Sequence, residues 1–587
     1  MLPKSLRPLL PYFKKYQGSF LLGGICVLFN NGIWILFAQV IRRAIDDLNR
    51  HGISQDKLAK YALLILAVAV GKGIFQFLTR WIVIGISRNV EFDMRNELFR
   101  HLETLSHSYY QKTRTGDIMA RCTNDLNAVR MLVGPAIMYT ANTVVFTTGA
   151  LIFMMGISHK LTLYAFLPLP IVSITIQYFG RRIHERFERI QAMFSEISAR
   201  AQENFSGARV IRAYAQEEAE IKLFEAANKE YIARSLKLVR LMGMLWPTLE
   251  TMLGLAVVLV LWLGGREVLA GKISVGDFVA FNTYMVQLTW PIIALGWVIN
   301  IFQRGTASMG RINEIFETKP EIQNDPAVLS KDLSEIRGTI EFKNLNFSYD
   351  GVGGQNDVLH NINLRIPAGS SLAIVGPTGS GKTTLVSLIP RIYDATDGAV
   401  LIDAQPIRKF SLEALRYSIG FVPQETFLFS DTIRENIAFG KAEATDAEIK
   451  AAADGASISG DVEGFPEQYK TLVGERGITL SGGQKQRTAI ARAILRDPKI
   501  LILDDALASV DTHTEDKILG HLREVMKDRT TIFISHRVST VRNADRIAVL
   551  HAGRIVELGT HEELLSRDGY YTELYNKQLL EEELAEV

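Results

Sequence analysis

Long apolar stretches dominate the first half of the chain, whereas apolar runs in the second half are short. Six stretches are long enough to cross a bilayer: residues 20–41, 61–84, 133–156, 161–179, 242–263 and 278–301. A hydrocarbon core about 30 Å thick requires about 20 mostly apolar residues in a helix. Six stretches of this length could not all be buried helices of a soluble core. The pattern therefore predicts six transmembrane helices.

The polar connectors between these stretches alternate in length. Residues 157–160 and 264–277 form short connectors, whereas 85–132 and 180–241 are long and charged, the second being rich in Arg and Lys. The positive-inside rule then predicts that both long connectors and both termini are cytoplasmic. We expect each long connector to extend the membrane helices as a hairpin, with tips near 108–116 and 207–216, where Gly and small polar residues interrupt the helical pattern.

Several polar residues fall inside the apolar stretches. Ionisable side chains at membrane depth are costly and usually face a cavity or a partner. On this ground we favour Glu250, ahead of Lys72, as a residue facing a water-filled pathway. Hydrogen bonding between helices is the alternative that accounts for most of the Asn and Gln residues, which include Asn30, Asn31, Gln76, Asn142 and Gln287.

Composition narrows the class of protein. The 587 residues are 48% hydrophobic and 22% charged, with a mean hydropathy of +0.11, which excludes a wholly soluble protein, a disordered chain and a disulfide scaffold. Cys26 and Cys122 are the two cysteines, and they suit a reducing, cytosol-facing setting. The formal net charge of +2 argues against a nucleic-acid partner.

A phosphate-binding loop follows the polar linker, which we place at 305–338. Residues 339–349 and 371–375 have strand patterns, and a G-x-x-x-x-G-K-T motif comes next. Glycines let backbone N–H groups curl around phosphate, and the following helix adds the positive end of its dipole. Lys382 would reach the β- and γ-phosphates, and Thr383 would ligate Mg²⁺. The predicted nucleotide-binding residues are Gly376, Pro377, Thr378, Gly379, Ser380, Gly381, Lys382, Thr383 and Thr384.

A second apolar strand, 499–503, ends in two acidic residues, Asp504 and Asp505. A carboxylate at the end of a parallel strand beside a phosphate loop is placed to bind Mg²⁺. The two motifs together predict a P-loop NTPase with Asp504 as a metal residue.

The segment Leu480-Ser481-Gly482-Gly483-Gln484 resembles the LSGGQ signature of the ATP-binding cassette (ABC) family. The resemblance implies that Ser481, Gly482, Gly483 and Gln484 contact the nucleotide bound by a second cassette. It further implies that Tyr349 stacks on adenine and that Asp511 is the acid of the D-loop. Gln424 would touch Mg²⁺ and face the membrane domain, and His536 would be the switch histidine. Lys382, Gln424, Asp505 and His536 are therefore the predicted catalytic residues.

The resemblance extends over the whole chain, which is similar to an exporter-type half-transporter. It implies an α-helical membrane domain of six transmembrane helices (1–304), a linker (305–338) and an α/β P-loop ATP-binding cassette (339–587). The implied activity is an ABC-type transporter ATPase that uses ATP and Mg²⁺ to export hydrophobic or amphipathic compounds, drug- or lipid-like, across the cytoplasmic membrane of a bacterium. An ABC importer is disfavoured because membrane and cassette parts are fused, and a soluble ABC protein of repair or translation is excluded by six spans.

One residue departs from the family pattern. Most active cassettes place Glu after the strand-end Asp, to orient the attacking water, whereas this chain has Asp505. Asp is shorter by one methylene, and a misplacement of about 1 Å can cost on the order of a hundredfold in rate. With its intact signature, the chain is therefore predicted to be the weak-site subunit of a heterodimer. The alternative is a homodimeric exporter of lipid or peptide that uses Asp505 as its catalytic carboxylate.

Overall fold

The computed structural model describes residues 3–49, 54–167, 169–324, 336–349, 357–474, 477, 479–507, 518, 520–522, 524–535 and 537–585. The chain forms two compact units. The first comprises residues 1–102 and 116–317, and the second comprises 103–115 and 318–587.

Residues up to 317 are almost entirely helical. After a short 3-10 helix, Lys4–Leu9, come α1 (Leu10–Lys15), α2 (Gln17–Leu48), α3 (Gln55–Leu102), α4 (His107–Lys112), α5 (Thr115–Ile157), α6 (His159–Phe166), α7 (Leu169–Ser206), α8 (Ala208–Ala213), α9 (Glu217–Leu269) and α10 (Val275–Glu317). Helix α5 contains two π-helical stretches, Arg121–Asp125 and Leu132–Ala136.

Five of these helices are long and apolar enough to cross a membrane, namely α2, α3, α5, α9 and α10. Each contains one of the predicted spans. In each, 28% or less of the most apolar window is buried within the chain, so most of its apolar surface faces outward. The sixth predicted span, 161–179, is divided between α6 and α7, with residue 168 outside the described residues. Two prolines occur there in the sequence, at 168 and 170, and proline has no N–H to continue a helical ladder.

Helix α10 is longer than the sequence indicated. It continues to Glu317, so residues 305–317, which were expected in the linker, are helical. Met309, Ile312 and Ile315 recur along one face of this extension and are almost fully buried. Ser308 donates a hydrogen bond of 2.8 Å to Asp125 Oδ1, and Arg311 Nε donates one of 2.9 Å to Asp125 Oδ2. This packing against α5 stabilises the helix beyond its apolar span.

The two hairpin tips each contain a short helix, in the regions where the sequence places them. Helix α4 lies between α3 and α5, and α8 lies between α7 and α9. Gly207 accepts hydrogen bonds from Val210 and Ile211 at the start of α8. Side chains on and around α8 are exposed, including Phe205, Val210 and Tyr214.

The second unit contains two β-sheets. Its strands are β1 (Ile340–Phe347), β2 (Leu359–Ile366), β3 (Ser371–Val375), β4 (Asp397–Ile402), β5 (Gln405–Pro406), β6 (Ile419–Val422), β7 (Ile500–Asp504), β8 (Thr530–Ile534), β9 (Arg546–His551) and β10 (Arg554–Gly559). A four-stranded antiparallel sheet has the order β2-β1-β4-β5, and a six-stranded sheet has the order β10-β9-β3-β8-β7-β6. Strands β6, β7, β8, β3 and β9 pair in parallel, and β10 is antiparallel.

Short helices surround these sheets. They are α11 (Lys382–Ser387), α12 (Leu412–Tyr417), α13 (Ile433–Ala438), α14 (Asp446–Gly455), α15 (Ser459–Glu463), α16 (Gly482–Leu495), α17 (Val538–Val541), α18 (His561–Ser566) and α19 (Tyr570–Ala585), with 3-10 turns Ile407–Lys409 and Gln468–Lys470. Alternate residues of β3 enter different cores: Leu372 and Ile374 face one, Ala373 and Val375 the other. The six-stranded sheet is therefore buried on both faces, as is usual for parallel strands.

Candidate functional site

The parallel strands bring most of the predicted chemistry to one edge of the six-stranded sheet. The phosphate loop begins where β3 ends, Asp504 and Asp505 stand at the end of β7, and Gln424 follows β6. The carboxyl ends of parallel strands meet at the same edge, which is where open α/β sheets bind ligands.

Glycines at two positions allow the phosphate loop to take its shape. Gly376 has φ +149°, and a Cβ there would lie 2.0 Å from the carbonyl oxygen of Leu550. Gly381 precedes α11 with φ +99°, a left-handed conformation that L side chains rarely adopt. The loop therefore presents backbone N–H groups and the N-terminus of α11 to one concave surface, which fits a phosphate chain.

Lys382 is held within this loop. Its side chain is 7% exposed, and its Nζ donates hydrogen bonds to the carbonyl oxygens of Gly376, at 2.8 Å, and Pro377, at 3.0 Å. Burial lowers the pKa of Lys382, and the carboxylates of Asp505 and Asp504 oppose that shift. The ammonium group thus lies at the loop, where a β- or γ-phosphate would neutralise it.

Thr383 and Asp504 form the pair that fits Mg²⁺. Thr383 Oγ1 donates a hydrogen bond of 3.2 Å to Asp504 Oδ1, and Asp504 is 1% exposed. Its second oxygen, Oδ2, is buried and has no hydrogen-bond partner among the described residues. Burial raises the pKa of Asp504 to about 6, and the charge of Asp505 acts in the same direction. A hydroxyl and a carboxylate are oxygen donors of the kind that Mg²⁺ prefers, so these residues fit the cation.

Tyr349 has the geometry of a base-stacking residue. Its side chain is 46% exposed, while its hydroxyl lies 2.8 Å from Thr384 Oγ1. The rings of Phe347 and Tyr393 meet it edge-on, with centroids at 5.0 and 5.4 Å. These contacts fix the Tyr349 ring beside the phosphate loop and leave ring surface free for a nucleobase.

The signature residues lie on a separate element. Ser481 is the N-cap of α16, and Ser481 and Gln484 form a capping box. The side-chain amide of Gln484 is used within the cassette: its oxygen accepts from the Ser481 N–H at 3.0 Å, and its nitrogen donates to Asp461 at 2.9 Å. Ser481 and Gly482 are exposed. In the described part of the chain no hydrogen bond joins Ser481 or Gly482 to the phosphate loop, so they are available to a ligand bound elsewhere.

Asp505 and Gln424 are less constrained than Asp504. The Asp505 N–H donates a hydrogen bond of 3.0 Å to the carbonyl oxygen of Ile534, and Asp505 has φ +48°, which Asp tolerates better than most residues. Gln424 lies in the loop after β6 with its side chain exposed. Asp511 and His536 lie outside the described residues.

Sequence reasoning did not single out Tyr393. Its ring lies between Tyr349 and His107 of α4, which approaches it edge-on with centroids at 5.8 Å. Gln111 of α4 also hydrogen bonds to the Tyr393 side chain. A chain of ring contacts therefore connects Tyr349, the predicted base-stacking residue, with the short helix at the first hairpin tip. Tyr393 lies after α11 in a segment without a motif, so no sequence signal marked it.

Comparisons with known proteins agree over both parts of the chain. Residues 20–292 match the family described as "ABC transporter transmembrane region", and residues 359–508 match the family described as "ABC transporter".

Several relatives match the chain over most of its length and most of their own. The chain is 37% identical to the probable multidrug resistance ABC transporter ATP-binding/permease protein YheI of Bacillus subtilis (strain 168), covering 97% of each chain. It is 38% identical to the ATP-dependent lipid A-core flippase of Desulfotalea psychrophila, covering 88% of this chain and 89% of that protein. Among solved structures, a bacterial Atm1-family ABC exporter with ATP bound matches with a TM-score of 0.78 and 30% identity, covering 96% of this chain and 99% of that one.

Proposed function

Because this chain is an ABC transporter of the exporter type, a membrane ATPase with its transmembrane region and ATP-binding cassette on one polypeptide, we propose that it exports drug- or lipid-like amphipathic compounds as one half of a dimer. The multidrug and lipid A relatives support this substrate class. We place the chain in a bacterial cytoplasmic membrane with both termini inside, and divide it into a membrane domain (1–304), a linker (305–338) and a cassette (339–587), the membrane domain's last helix continuing into the linker.

In the proposed mechanism, the phosphate loop and Lys382 hold the phosphates of ATP, and Tyr349 stacks on the base. Thr383 and Asp504, with Gln424, would hold Mg²⁺, which neutralises phosphate charge when bound. Asp505 and His536 would act on the attacking water. Ser481, Gly482 and Gly483 would close over the nucleotide of the partner cassette, while Gln484 fixes the start of α16 through its capping box. The γ-phosphate would be bound by both cassettes, so its release would remove the contacts that hold them together. The bound nucleotide would therefore select between a closed and an open arrangement of the cassettes.

We further propose that the dimer is a heterodimer in which this chain carries the weak ATP site. The observation that carries this proposal is Asp505 in the position of the usual Glu, combined with an intact signature. A homodimeric exporter of lipid or peptide that uses Asp505 as its catalytic carboxylate is the second candidate, favoured by the presence of His536 at the position of the switch histidine.

Purification of this chain without a partner separates the two candidates. For the heterodimer we expect near-zero ATPase activity alone, recovery on adding the second half-transporter, and a rise of at least about tenfold in the Asp505→Glu variant, because Glu restores the missing methylene. Asp505→Asn is the matched control and should stay as inactive as the parent chain. Robust turnover alone that Asp505→Asn abolishes would establish the homodimer instead.

A further inference from the structure

We propose that a cavity of mixed polar and apolar lining between α2, α3, α5 and α10 binds the anionic head group of an amphiphilic substrate, with Lys72 and Arg80 supplying the positive charge. The cavity has a volume of about 370 Å³ and lies entirely within the membrane-spanning unit. This inference rests on the proposed export function and specifies the substrate class that this membrane unit recognises.

The charge of the cavity has one sign. Three polar residues of α3 line the cavity at a spacing of four: Lys72, Gln76 and Arg80. Residues four apart lie on one face of a helix, so all three can face the same cavity. No Asp or Glu lines it, and neither Lys72 nor Arg80 has a carboxylate within 4.0 Å among the described residues. Lys72 Nζ instead lies 3.3 Å from the centroid of the Trp34 ring. Uncompensated cations at membrane depth are costly and mark sites of function.

Polar atoms around the two cations are also without partners. Thr79 is 2% exposed, and its hydroxyl has no hydrogen-bond partner among the described residues, nor have Asn30 Oδ1 and Gln287 Oε1. A buried polar group left unpaired costs about 1–3 kcal/mol, so a polar ligand would be stabilised here. Thr79 can donate to an anionic oxygen, while Asn30 and Gln287 can accept from hydroxyl or amino groups of the same head group.

Neighbouring polar residues are already satisfied and give the cavity a fixed wall. Asn31 Nδ2 donates hydrogen bonds of 2.8 Å to both Asn142 Oδ1 and the carbonyl oxygen of Val27, and Asn142 Nδ2 donates one of 2.9 Å to Met138. Hydrogen bonding between helices, the alternative for the Asn residues, thus holds for Asn31 and Asn142. It does not account for Thr79, Lys72 or Arg80.

Most of the remaining lining is apolar and suits a hydrocarbon chain. Met138, Phe146, Val286 and Trp290 contribute apolar surface to the wall of the cavity. Glu250, which the sequence favoured as the pathway residue, is exposed on the single chain and does not line this cavity. The cavity therefore pairs positive charge and hydrogen-bonding groups with apolar surface, which matches an anionic amphiphile better than a cationic one.

Binding by the full chain in nanodiscs of neutral lipid tests this inference through tryptophan fluorescence, since Trp34 and Trp290 line the cavity. Dodecyl phosphate, dodecyl trimethylammonium and dodecyl maltoside share one hydrocarbon chain and differ in head-group charge. We expect dodecyl phosphate to bind at least about tenfold more tightly than the other two, a typical size for charge-assisted recognition. Lys72→Gln and Arg80→Gln should each reduce that preference, while Arg80→Lys retains it. Arg100→Gln, on the cytoplasmic part of the same helix, is the matched control and should change nothing.

Three outcomes would overturn the inference: equal affinity for the three amphiphiles, an unchanged preference in Lys72→Gln and Arg80→Gln, or inorganic phosphate binding as tightly as dodecyl phosphate. The binding measurement requires no ATP. ATPase activity of the assembled transporter, followed by ADP release, is a separate readout. If it were absent while selective binding persisted, the export function would fail and the anion site would stand.

Discussion

At the scale of single residues, the site depends on where charge is buried. Asp504 is almost fully buried and Lys382 nearly so, and each has a pKa shifted by burial toward its neutral form. A protein keeps such groups only where a ligand or partner compensates them. The phosphates of a nucleotide would compensate Lys382, and a divalent cation would compensate Asp504. Burial of Lys382 and Asp504 therefore makes their charged forms costly without a ligand. It favours the binding of ATP together with Mg²⁺.

Lys382→Ala is the direct test of this reading. The substitution removes a positive charge fixed at the phosphate loop, and loss of such a preorganised group costs about a hundredfold or more in rate. We expect ATP binding at this chain's own loop, measured by photo-crosslinking of an ATP analogue, to fall by at least about tenfold. Lys409→Ala, an exposed cassette lysine, is the control and should bind as the parent does. Unchanged labelling of Lys382→Ala would refute the role of this lysine.

At the scale of elements, ring contacts join the short helix α4 to the candidate nucleotide site. Tyr349, the predicted base-stacking residue, contacts Tyr393, which contacts His107 of α4. Helix α4 belongs to the same compact unit as the cassette although it lies within the sequence of the membrane helices. Ser106 Oγ also donates a hydrogen bond of 3.1 Å to Glu321. A base bound at Tyr349 would therefore be linked by ring contacts to the helix at the hairpin tip. Edge-to-face ring pairs contribute about 0.5–1.5 kcal/mol each.

Replacing the middle ring should weaken this link without removing the nucleotide site. We expect Tyr393→Ala to retain basal ATPase activity within about threefold while losing most of its stimulation by transported compounds. The ring contacts that join Tyr349 to His107 through Tyr393, each contributing about 0.5–1.5 kcal/mol, disappear in this variant. Tyr393→Phe keeps the ring and serves as the matched control, with stimulation close to that of the parent. The assay is ADP release from the assembled transporter in nanodiscs with and without compound. Equal stimulation in both variants would contradict the link.

At the scale of the whole molecule, one chain holds one phosphate loop and one signature on separate elements. The exposed N-terminus of α16 presents Ser481 and Gly482 away from contact with the loop of its own chain, within the described residues. In the proposed dimer the complete ATP site forms between two cassettes. Asp505 would then act at the ATP site of its own chain, and Ser481 at the ATP site of the partner. A substitution of either residue would therefore affect a different ATP site.

The assignment of Asp505 and Ser481 to different ATP sites can be tested in the dimer, purified through an affinity tag on this chain. For the heterodimer we expect Ser481→Ala to lower ATPase activity by at least about tenfold, since a donor to the γ-phosphate is lost, and Asp505→Asn to change it by less than about twofold. Thr560→Ala removes a capping box of the same kind at α18 and controls for the loss of about 1 kcal/mol of helix capping. Comparable large losses in Ser481→Ala and Asp505→Asn would show that both sites are equivalent, as in a homodimer.

The sequence by itself determined the class of protein and the positions of its nucleotide motifs. Apolar length and glycine spacing are local properties, so five membrane helices, the strand before the phosphate loop and the helix that follows it lie where the sequence predicted them. Asp504 was marked as a metal residue because an acid at a strand end is also a local signal. The catalytic, metal-binding and nucleotide-binding roles of the individual site residues remain predictions, and these include the roles of Lys382, Asp504 and Asp505.

Only the tertiary structure decided which distant residues share a surface. The extension of α10 to Glu317 depends on burial against α5, which the polar composition of 305–317 does not reveal. Tyr393 contacts His107 and Gln111 of α4. These residues lie more than 280 positions earlier in the sequence. Lys72 rather than Glu250 lines the membrane cavity because side-chain direction depends on how four helices pack. Such contacts arise from long-range packing, and no local pattern encodes them.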